Sequence, residues 1–155
     1  MRIGEICTRS VVTCGRDASA LELAQLMRNH HVGDVVVVDE HEGKLTPVGI
    51  VTDRDLVVEV VAKSVNPDLL RAGDLIANEL VTAFESELVY DAIWHMRSKC
   101  IRRLPVVDAN NHLLGVLTAD DLTEFLAGEL TELARIVPRQ IKLEQATRDS
   151  VNFRP

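Results

Sequence analysis

GEICTRSVVT at residues 4–13 aligns without a gap on GDLIANELVT at residues 73–82. The same offset, which carries residue 4 onto residue 73, also carries the apolar run VVVVD at 35–39 onto LPVVD at 104–108. Repetition of a unit of this length predicts one small folding unit built twice. The chain is therefore expected to form a pseudo-symmetric pair, with a seam where equivalent residues meet.

A third matching segment, GIVTDRDL at 49–56, returns as GVLTADDL at 115–122, at a slightly shorter offset. The first copy therefore carries three extra residues before this segment. From these matches we assign a first repeat to residues 1–62, a linker to 63–68, a second repeat to 69–126 and a C-terminal helical extension to 127–155.

The composition indicates a folded, acidic protein. Apolar residues make up 46% of the 155 residues, enough for a sizeable core. The net charge is −7, so we expect no nucleic-acid partner, because an acidic surface repels a phosphate backbone. No apolar run reaches the roughly 20 residues of a membrane helix, and the N-terminus lacks the apolar core of a secretory signal. We therefore expect a cytoplasmic protein without a membrane partner.

Cysteine and histidine spacing indicates no metal site. Cys7, Cys14 and Cys100 form no CxxC pair and are odd in number, so we expect free thiols rather than a disulfide framework or a zinc site. His30 and His31 fall where a predicted helix ends before a strand, and a position near a ligand is the alternative to simple solvent exposure.

Hydrophobic periodicity predicts the order β-α-β-β-α in the first copy. Asp17 and Ser19 are candidate caps for a helix whose Ala20, Leu23 and Met27 share one face. The predicted elements are a strand at 11–13, a helix at 18–30, a strand at 35–39, a turn at 40–46, a strand at 47–52 and a helix at 53–62.

The second copy repeats this order. Its predicted elements are a strand at 80–82, a helix at 87–99, a strand at 104–108, a turn at 109–112, a strand at 113–118 and a helix at 119–130. The tail departs from the repeat: we expect helix to continue as far as Pro138 and a further helix over 139–148.

The strand-to-helix junction Thr52-Asp53-Arg54-Asp55 has a counterpart in Thr118-Ala119-Asp120-Asp121. A hydroxyl residue followed three positions later by an acid resembles a capping box, which satisfies the first backbone donors of a helix. The same hydroxyl and carboxylate, displayed at a helix start, are also suited to the vicinal hydroxyls of a ribose. Both roles are compatible at one corner.

Each copy resembles the CBS domain, named after cystathionine β-synthase, in its usual tandem pair. The resemblance consists of four features in order: a V-T strand, a helix containing Met, an apolar strand ending in Asp, and the pattern G-h-h-T-x-x-D, where h is an apolar residue. The closest segments are MRSKCIRRLPVVD and GVLTADD of the second copy. The resemblance implies an α/β (α+β) fold of two pseudo-symmetric β-α-β-β-α repeats packed through their sheets, often called a Bateman module, followed here by the C-terminal helical extension.

The resemblance also implies the ligand and its contacts. Members of this family commonly bind adenosine-containing ligands such as AMP, ADP, ATP or S-adenosylmethionine between the repeats, as regulatory ligands and not as required cofactors. By resemblance, Asp55 and Asp121 hold ribose hydroxyls, and Thr52 and Thr118 contact ribose or phosphate. The remaining predicted contacts are Val12, Thr13, Val81 and Thr82 beside adenine, and Arg102 and Arg103, with the following Leu104 and Pro105, beside phosphate.

The two copies differ at one predicted contact. Gly33 and Asp34 stand in the first copy where the second has Arg102 and Arg103, and Val36 replaces Pro105. Asp34 repels a phosphate unless an arginine from across the cleft compensates it. We therefore expect unequal sites. The cleft of Thr118, Asp121 and the arginine pair is expected to be the better nucleotide site, and the cleft of Thr52 and Asp55 to be weaker, empty, or suited to a less charged adenosine ligand.

Three classes of function are open. The first is a module that senses an adenosine-containing ligand and signals its occupancy to a downstream protein, in a homodimer of four repeats arranged as a disc. The second is a dimerisation or protein-interaction module with a vestigial site. The third is an enzyme, which we do not expect, because the sequence has no GxSxG, GxxxxGK[ST], HExxH or GxGxxG motif.

Overall fold

Each copy of the duplicated unit forms its own three-stranded mixed sheet. In both copies a two-residue strand lies parallel to the central strand, which pairs antiparallel with the third strand. The computed structural model describes the backbone of residues 1–76 and 79–151 and side chains as far as residue 148. Residues 152–155 of the predicted extension lie outside the described residues.

The first copy contains α1 (Ile3–Ile6), β1 (Thr13–Cys14), α2 (Ala20–His30), β2 (Asp34–His41), β3 (Lys44–Thr52), α3 (Asp53–Asp55) and a π-helix (Leu56–Val61). The second contains α4 (Ala72–Leu75), β4 (Ala83–Phe84), α5 (Val89–Lys99), β5 (Arg103–Val107), β6 (Leu113–Thr118) and the start of α6 (Ala119–Ala134). The duplication predicted from sequence is confirmed. The offset that relates residue 4 to residue 73 also relates the first residues of α1, α2 and β2 to the first residues of α4, α5 and β5, respectively.

The first long helix, α2, begins and ends where its sequence directs. Ser19 Oγ accepts a hydrogen bond from Glu22 N at 3.2 Å, and Glu22 Oε2 accepts one from Ser19 N at 2.6 Å, which is a capping box. Ser19 is therefore the N-cap, rather than Asp17. His31 closes the helix in the left-handed conformation with φ 54°, and Cys100 does the same after α5.

The core of each copy lies around its central strand. In β2, Val35, Val36 and Val37 have no exposed surface, because both faces of the strand are covered. In β5, Leu104 and Val106 are equally buried. Each central strand carries a register shift, between Val37 and Val38 in β2 and at the equivalent position of β5.

The turn predicted at 40–46 is shorter in the structure. β2 and β3 pair as far as His41 and Lys44, so only Glu42 and Gly43 remain between them. Both residues have positive φ, 51° and 74°, as a two-residue hairpin turn requires. The turn geometry allows the other residues of the predicted turn to pair as strands.

The helix predicted at 53–62 is α-helical only over Asp53–Asp55 and continues as the π-helix. Ala62 N donates to Val57 O at 2.9 Å, five residues back. The segment LVVEVV is rich in β-branched residues, which crowd the preceding turn of an α-helix, and the wider π turn relieves this crowding.

The two repeats exchange their N-terminal helices. Gly4 N of α1 donates to Glu85 O of the second copy at 3.0 Å, and Gly73 N of α4 donates to Arg16 O of the first at 2.9 Å. The repeat offset relates residue 4 to residue 73 and residue 16 to residue 85, so the two hydrogen bonds are equivalent under the repeat. The strands β3 and β6 also lie next to each other. Each repeat is therefore closed by a helix of the other, through pseudo-twofold packing.

Residues from Asp120 onward form a second unit. Its helix α6 ends at Ala134, and α7 (Ile136–Val151) follows after Arg135. The prediction of continuous helix to Pro138 is therefore wrong. Pro138 has no N–H for the carbonyl of Ala134, and its ring clashes there, so α6 ends at Ala134, four residues before the proline. Among the residues that the structure describes, no helix is both long and apolar enough to cross a membrane.

Candidate functional site

A cavity of about 680 Å³ lies in the first unit, between the end of β3 and the start of the second repeat. Both repeats contribute to its walls, as expected for a site at the seam. The described residues that line it are Ile50, Thr52, Asp53, Arg54, Asp55, Leu75, Ile76, Glu79, Leu80, Val81, Ile101, Arg102 and Arg103. Its volume is in the range of small-molecule sites.

Thr52 and Asp55 form one corner of this cavity and are bonded to each other. Asp55 Oδ2 accepts from Thr52 N at 2.8 Å and from Thr52 Oγ1 at 2.7 Å, and Asp55 N donates to Thr52 Oγ1 at 3.2 Å. The capping box considered from sequence is therefore present. All the hydrogen bonds that the described residues make to the carboxylate end on Oδ2. Its Oδ1 is therefore the oxygen available to a ligand.

The opposite walls are apolar. Leu80 and Val81, which precede β4, face the cavity together with Ile101, the residue before the arginine pair. From α4 and the residue after it come Leu75 and Ile76. These side chains form an apolar part of the lining, referred to below as the apolar slot, and apolar walls of this kind hold heteroaromatic rings in many ligand sites.

The arginine pair lines the cavity of Thr52 and Asp55, whereas the sequence grouped it with Thr118 and Asp121. The backbone of the pair does lie beside Thr118, because Arg103 and Thr118 are register partners and Ala119 N donates to Arg102 O at 2.9 Å. The side chain of Arg103, however, reaches the first repeat, where its Nε lies 2.6 Å from Asp34 Oδ1. The attraction between the two charges directs the arginine across the seam.

Charges in the cavity nearly balance. Its lining includes three arginines, Arg54, Arg102 and Arg103, and three carboxylates, Asp53, Asp55 and Glu79. Asp53 Oδ1 accepts a hydrogen bond from the backbone N of Arg54 at 2.7 Å. The Arg54 guanidinium itself makes no ion pair among the described residues. A ligand in this cavity therefore meets both signs of charge.

The other predicted contacts lie elsewhere. Leu104 and Pro105 are fully buried within β5, and Thr82 separates the cavity residue Val81 from β4. None of these three is among the described residues that line the cavity. Their packing in and beside the sheet accounts for their positions.

The second predicted cleft involves residues from both units. Val12 packs against the core of the first repeat and its carbonyl accepts from Val36 N at 3.0 Å, while Thr13 begins β1. Thr118 ends β6, and Asp121 lies in the first turn of α6, in the second unit. Their roles as ligand contacts stay predictions.

Several residues that line the cavity were not predicted from the sequence. Ile50 and Arg54 lie within the quoted repeat motif, so its T-x-x-D corner was the signal for them. Leu75 and Ile76 could be found only through the exchange of α1 and α4, because the sequence assigns them to the other repeat. Glu79 and Leu80 precede the predicted V-T strand and carry no signal of their own.

Three titratable groups outside the cavity, on Cys14, Asp39 and Asp108, have a shifted pKa. Burial, with a smaller contribution from Glu22, raises the pKa of Cys14 on β1 to about 11. A hydrogen bond from Arg16 lowers the pKa of Asp39, and the backbone amide of His112 does so for Asp108. Within residues 1–76 and 79–148, no three His, Cys, Asp or Glu side chains are grouped as a metal ion requires.

Comparison with known proteins identifies relatives over most of the chain. A model of the CBS domain matches twice, over residues 3–62 and 72–128. An uncharacterized protein of Methanopyrus kandleri is 40% identical over 122 residues, which are 79% of this chain and 61% of that protein. Two curated relatives from Methanocaldococcus jannaschii are matched over only 23% and 42% of their lengths. The chain thus spans less than two thirds of these relatives.

Two solved structures have the same fold. A CBS domain protein from Pyrobaculum aerophilum, complexed with AMP, is 30% identical with a TM-score of 0.70, over 78% of this chain and 89% of that one. A CBS domain pair in complex with 5′-methylthioadenosine and S-adenosyl-L-methionine is 25% identical with a TM-score of 0.70, over 83% of this chain and 98% of that one. Both were solved with adenosine-containing ligands.

Proposed function

This chain belongs to the CBS domain family, and on that premise we propose that the cavity beside Thr52 and Asp55 binds an adenosine-containing ligand whose occupancy regulates a partner protein. One observation carries the proposal: a hydroxyl and carboxylate corner from one repeat faces an arginine pair and an apolar slot from the other. The AMP and S-adenosylmethionine complexes of two related structures support it.

The ribose occupies the Thr52 corner in this proposal. Asp55 Oδ1 accepts from the two vicinal hydroxyls, because Oδ2 already accepts from Thr52. The Thr52 hydroxyl donates its proton to Asp55, so toward a ligand it acts as an acceptor. This favours a ribose hydroxyl, a donor, over an ionised phosphate oxygen, an acceptor, as the partner of Thr52.

The adenine and phosphate lie toward the second repeat. The adenine ring packs between Ile76 and the Leu80–Val81 segment, where backbone groups before β4 are within reach of its polar edge. A phosphate or carboxylate of the ligand lies toward Arg54 and Arg102, since guanidinium groups bind such anions through paired hydrogen bonds. We therefore assign the better site to this cavity, rather than to the cleft of Thr118 and Asp121.

Occupancy is converted into a signal through the seam. A ligand that contacts walls from both repeats stabilises the arrangement that fits it, and so shifts the population of conformations that a partner protein meets. The three cysteines are free in the structure, which agrees with a reducing compartment such as the cytoplasm. We assign no catalytic step to this chain.

A second candidate, a dimerisation or interaction module, is favoured by one surface. Tyr90 and Trp94 lie one turn apart on α5 and are 73% and 64% exposed, which is unusual for aromatic side chains of this size. We propose that this face joins two copies into a homodimer. Dimerisation is compatible with ligand sensing. If the cavity binds no ligand, dimerisation is the only function that we propose.

Thermal unfolding of the full chain with AMP, 5′-methylthioadenosine, S-adenosylmethionine and ATP tests the first proposal. A compound that binds only the folded state raises the Tm in proportion to the logarithm of its concentration. We expect such a rise with at least one of the first three compounds. No rise with any compound at millimolar concentration leaves only the interaction module.

A further inference from the structure

Asp34 and Arg103 form an ion pair on the axis that relates the two repeats. Each is the first residue of its central strand, β2 or β5, and the repeat offset relates one position to the other. Arg103 Nε lies 2.6 Å from Asp34 Oδ1, and the two side chains are only 33% and 17% exposed. An ion pair shielded from solvent to this degree is screened less by salt than a surface pair.

The pair removes the effect of one positive charge from the cavity. Arg103 lines the cavity together with Arg54 and Arg102, against Asp53, Asp55 and Glu79. Because Asp34 neutralises Arg103, that arginine adds no net positive charge, and the three carboxylates leave the cavity without an excess of positive charge. A ligand with several negative charges therefore gains little from it.

We propose that Asp34, through Arg103, makes this cavity selective for adenosine compounds of low net charge, such as AMP or 5′-methylthioadenosine, against ADP and ATP. The inference rests on the proposed function and names the class of ligand for the same site. Asp34 acts here as a specificity determinant, since its effect on the ligand is carried by the charge that it cancels.

The surroundings of the pair support this role. A Cβ placed on Gly33 would lie 3.5 Å from Arg103 Nη2 and 3.4 Å from Asp53 Oδ2, so these two atoms are separated by no more than the sum of the two distances. A polyphosphate that reached Arg103 would also approach Asp53 and Asp34, and their repulsion increases with each added phosphate. A single phosphate placed toward Arg54 or Arg102 avoids this cost.

Calorimetric titration of AMP, ATP and 5′-methylthioadenosine into wild-type protein and Asp34→Asn, without divalent cations and at fixed ionic strength, tests the inference. Asparagine keeps the shape of the side chain and frees the charge of Arg103. We expect the Kd for ATP to fall roughly tenfold, that for AMP about threefold, and that for 5′-methylthioadenosine to stay unchanged. An unchanged ratio of ATP to AMP affinity overturns the inference.

Two further variants identify the route of the effect. In the double variant Asp34→Asn with Arg103→Gln, the freed charge is absent, so the ratio should return to that of the wild type. Asp39→Asn changes the net charge equally, at an ion pair outside the cavity whose Arg16 Nε lies 2.8 Å from Asp39 Oδ1. An equal change in the Asp39 variant, or a gain that persists in the double variant, contradicts a role for the Asp34–Arg103 pair.

Titration of inorganic tripolyphosphate separates this inference from the proposed function. If no adenosine compound binds any variant, the proposed function fails. Tighter tripolyphosphate binding by Asp34→Asn than by wild type would still support Asp34 as the barrier to polyphosphates. If adenosine compounds bind but Asp34→Asn leaves both the nucleotide ratio and tripolyphosphate binding unchanged, only the selectivity inference fails.

Discussion

Asp34 and Arg103 are the same position of the repeated unit, and they bind each other across the seam at 2.6 Å. Two aspartates or two arginines at this position would place like charges together on the twofold axis, which is unfavourable. The two copies have diverged to opposite charges there, and this divergence makes the surroundings of the two predicted sites unequal.

Replacement of Asp55 by alanine should weaken AMP binding by at least about tenfold, because a charged acceptor for two ribose hydroxyls is lost. Calorimetric titration measures the effect. The apo protein should also lose about 1 kcal/mol of unfolding free energy with the capping box. Asp121→Ala is the matched control from the second repeat, and we expect a smaller loss of affinity. A larger loss in the Asp121 variant would show that the other cleft is the principal site.

Gly115→Ala should destabilise the protein by about 2 kcal/mol, since an added Cβ would lie 2.8 Å from Thr8 O and 2.9 Å from Cys7 Sγ at the seam. Urea unfolding monitored by circular dichroism gives the change. Gly128→Ala in α6 is the control: apart from the adjoining residues and backbone of its own helix, no described atom lies within 4 Å of the added Cβ, so the helix should gain about 0.5 to 1 kcal/mol. Equal effects of the two substitutions would contradict tight packing at Gly115.

The alkaline limit of stability should depend on Cys14. Its pKa is raised from 9.0 to about 11 in the folded state, mainly by burial, so the folded protein holds the thiol proton more tightly than the unfolded chain does. The resulting stabilisation is complete below pH 9 and is lost as the pH rises from 9 to 11. Urea unfolding at several pH values should therefore show a shallower alkaline decline for Cys14→Ala. An identical decline would contradict the shifted pKa.

Self-association should depend on the exposed aromatic face of α5. Trp94→Glu places a charge at the centre of that face and should shift the protein from dimer to monomer in sedimentation velocity experiments. Leu69→Glu is the control, because Leu69 is 74% exposed but lies before α4 and is not part of α5. Wild-type protein that sediments as a monomer would remove the proposed dimer, and dissociation by both variants would show that the effect is not local.

Features that depend on short stretches of chain were predictable. The capping box of Ser19 and Glu22, the buried strand of four valines and the T-x-x-D corner follow from residue types at fixed spacings. The π-helix was not predicted, because β-branched residues disfavour a regular α-helix without indicating which alternative is adopted. The position of the helix break before Pro138 was missed, since the proline acts on a carbonyl four residues earlier.

The direction of the Arg103 side chain could not be read from sequence. Sequence order associates the arginine with Thr118, which is its register partner, but its guanidinium binds Asp34 of the other repeat. The position of Ile76 could not be predicted from sequence either. Ile76 belongs to the second repeat, but it lines the cavity beside Thr52 and Asp55 of the first repeat. Contacts across the seam depend on how the two copies pack.

The order of amino acids is sufficient to establish that the chain is a duplicated unit, where most helices and strands lie, and that Thr52 and Asp55 share a corner. These are local properties, set by side-chain periodicity and by hydrogen bonds between residues close in the chain. Which residues of one copy face which residues of the other becomes known only from the folded molecule. Those contacts depend on the pseudo-twofold packing, which brings together groups that lie far apart in the chain.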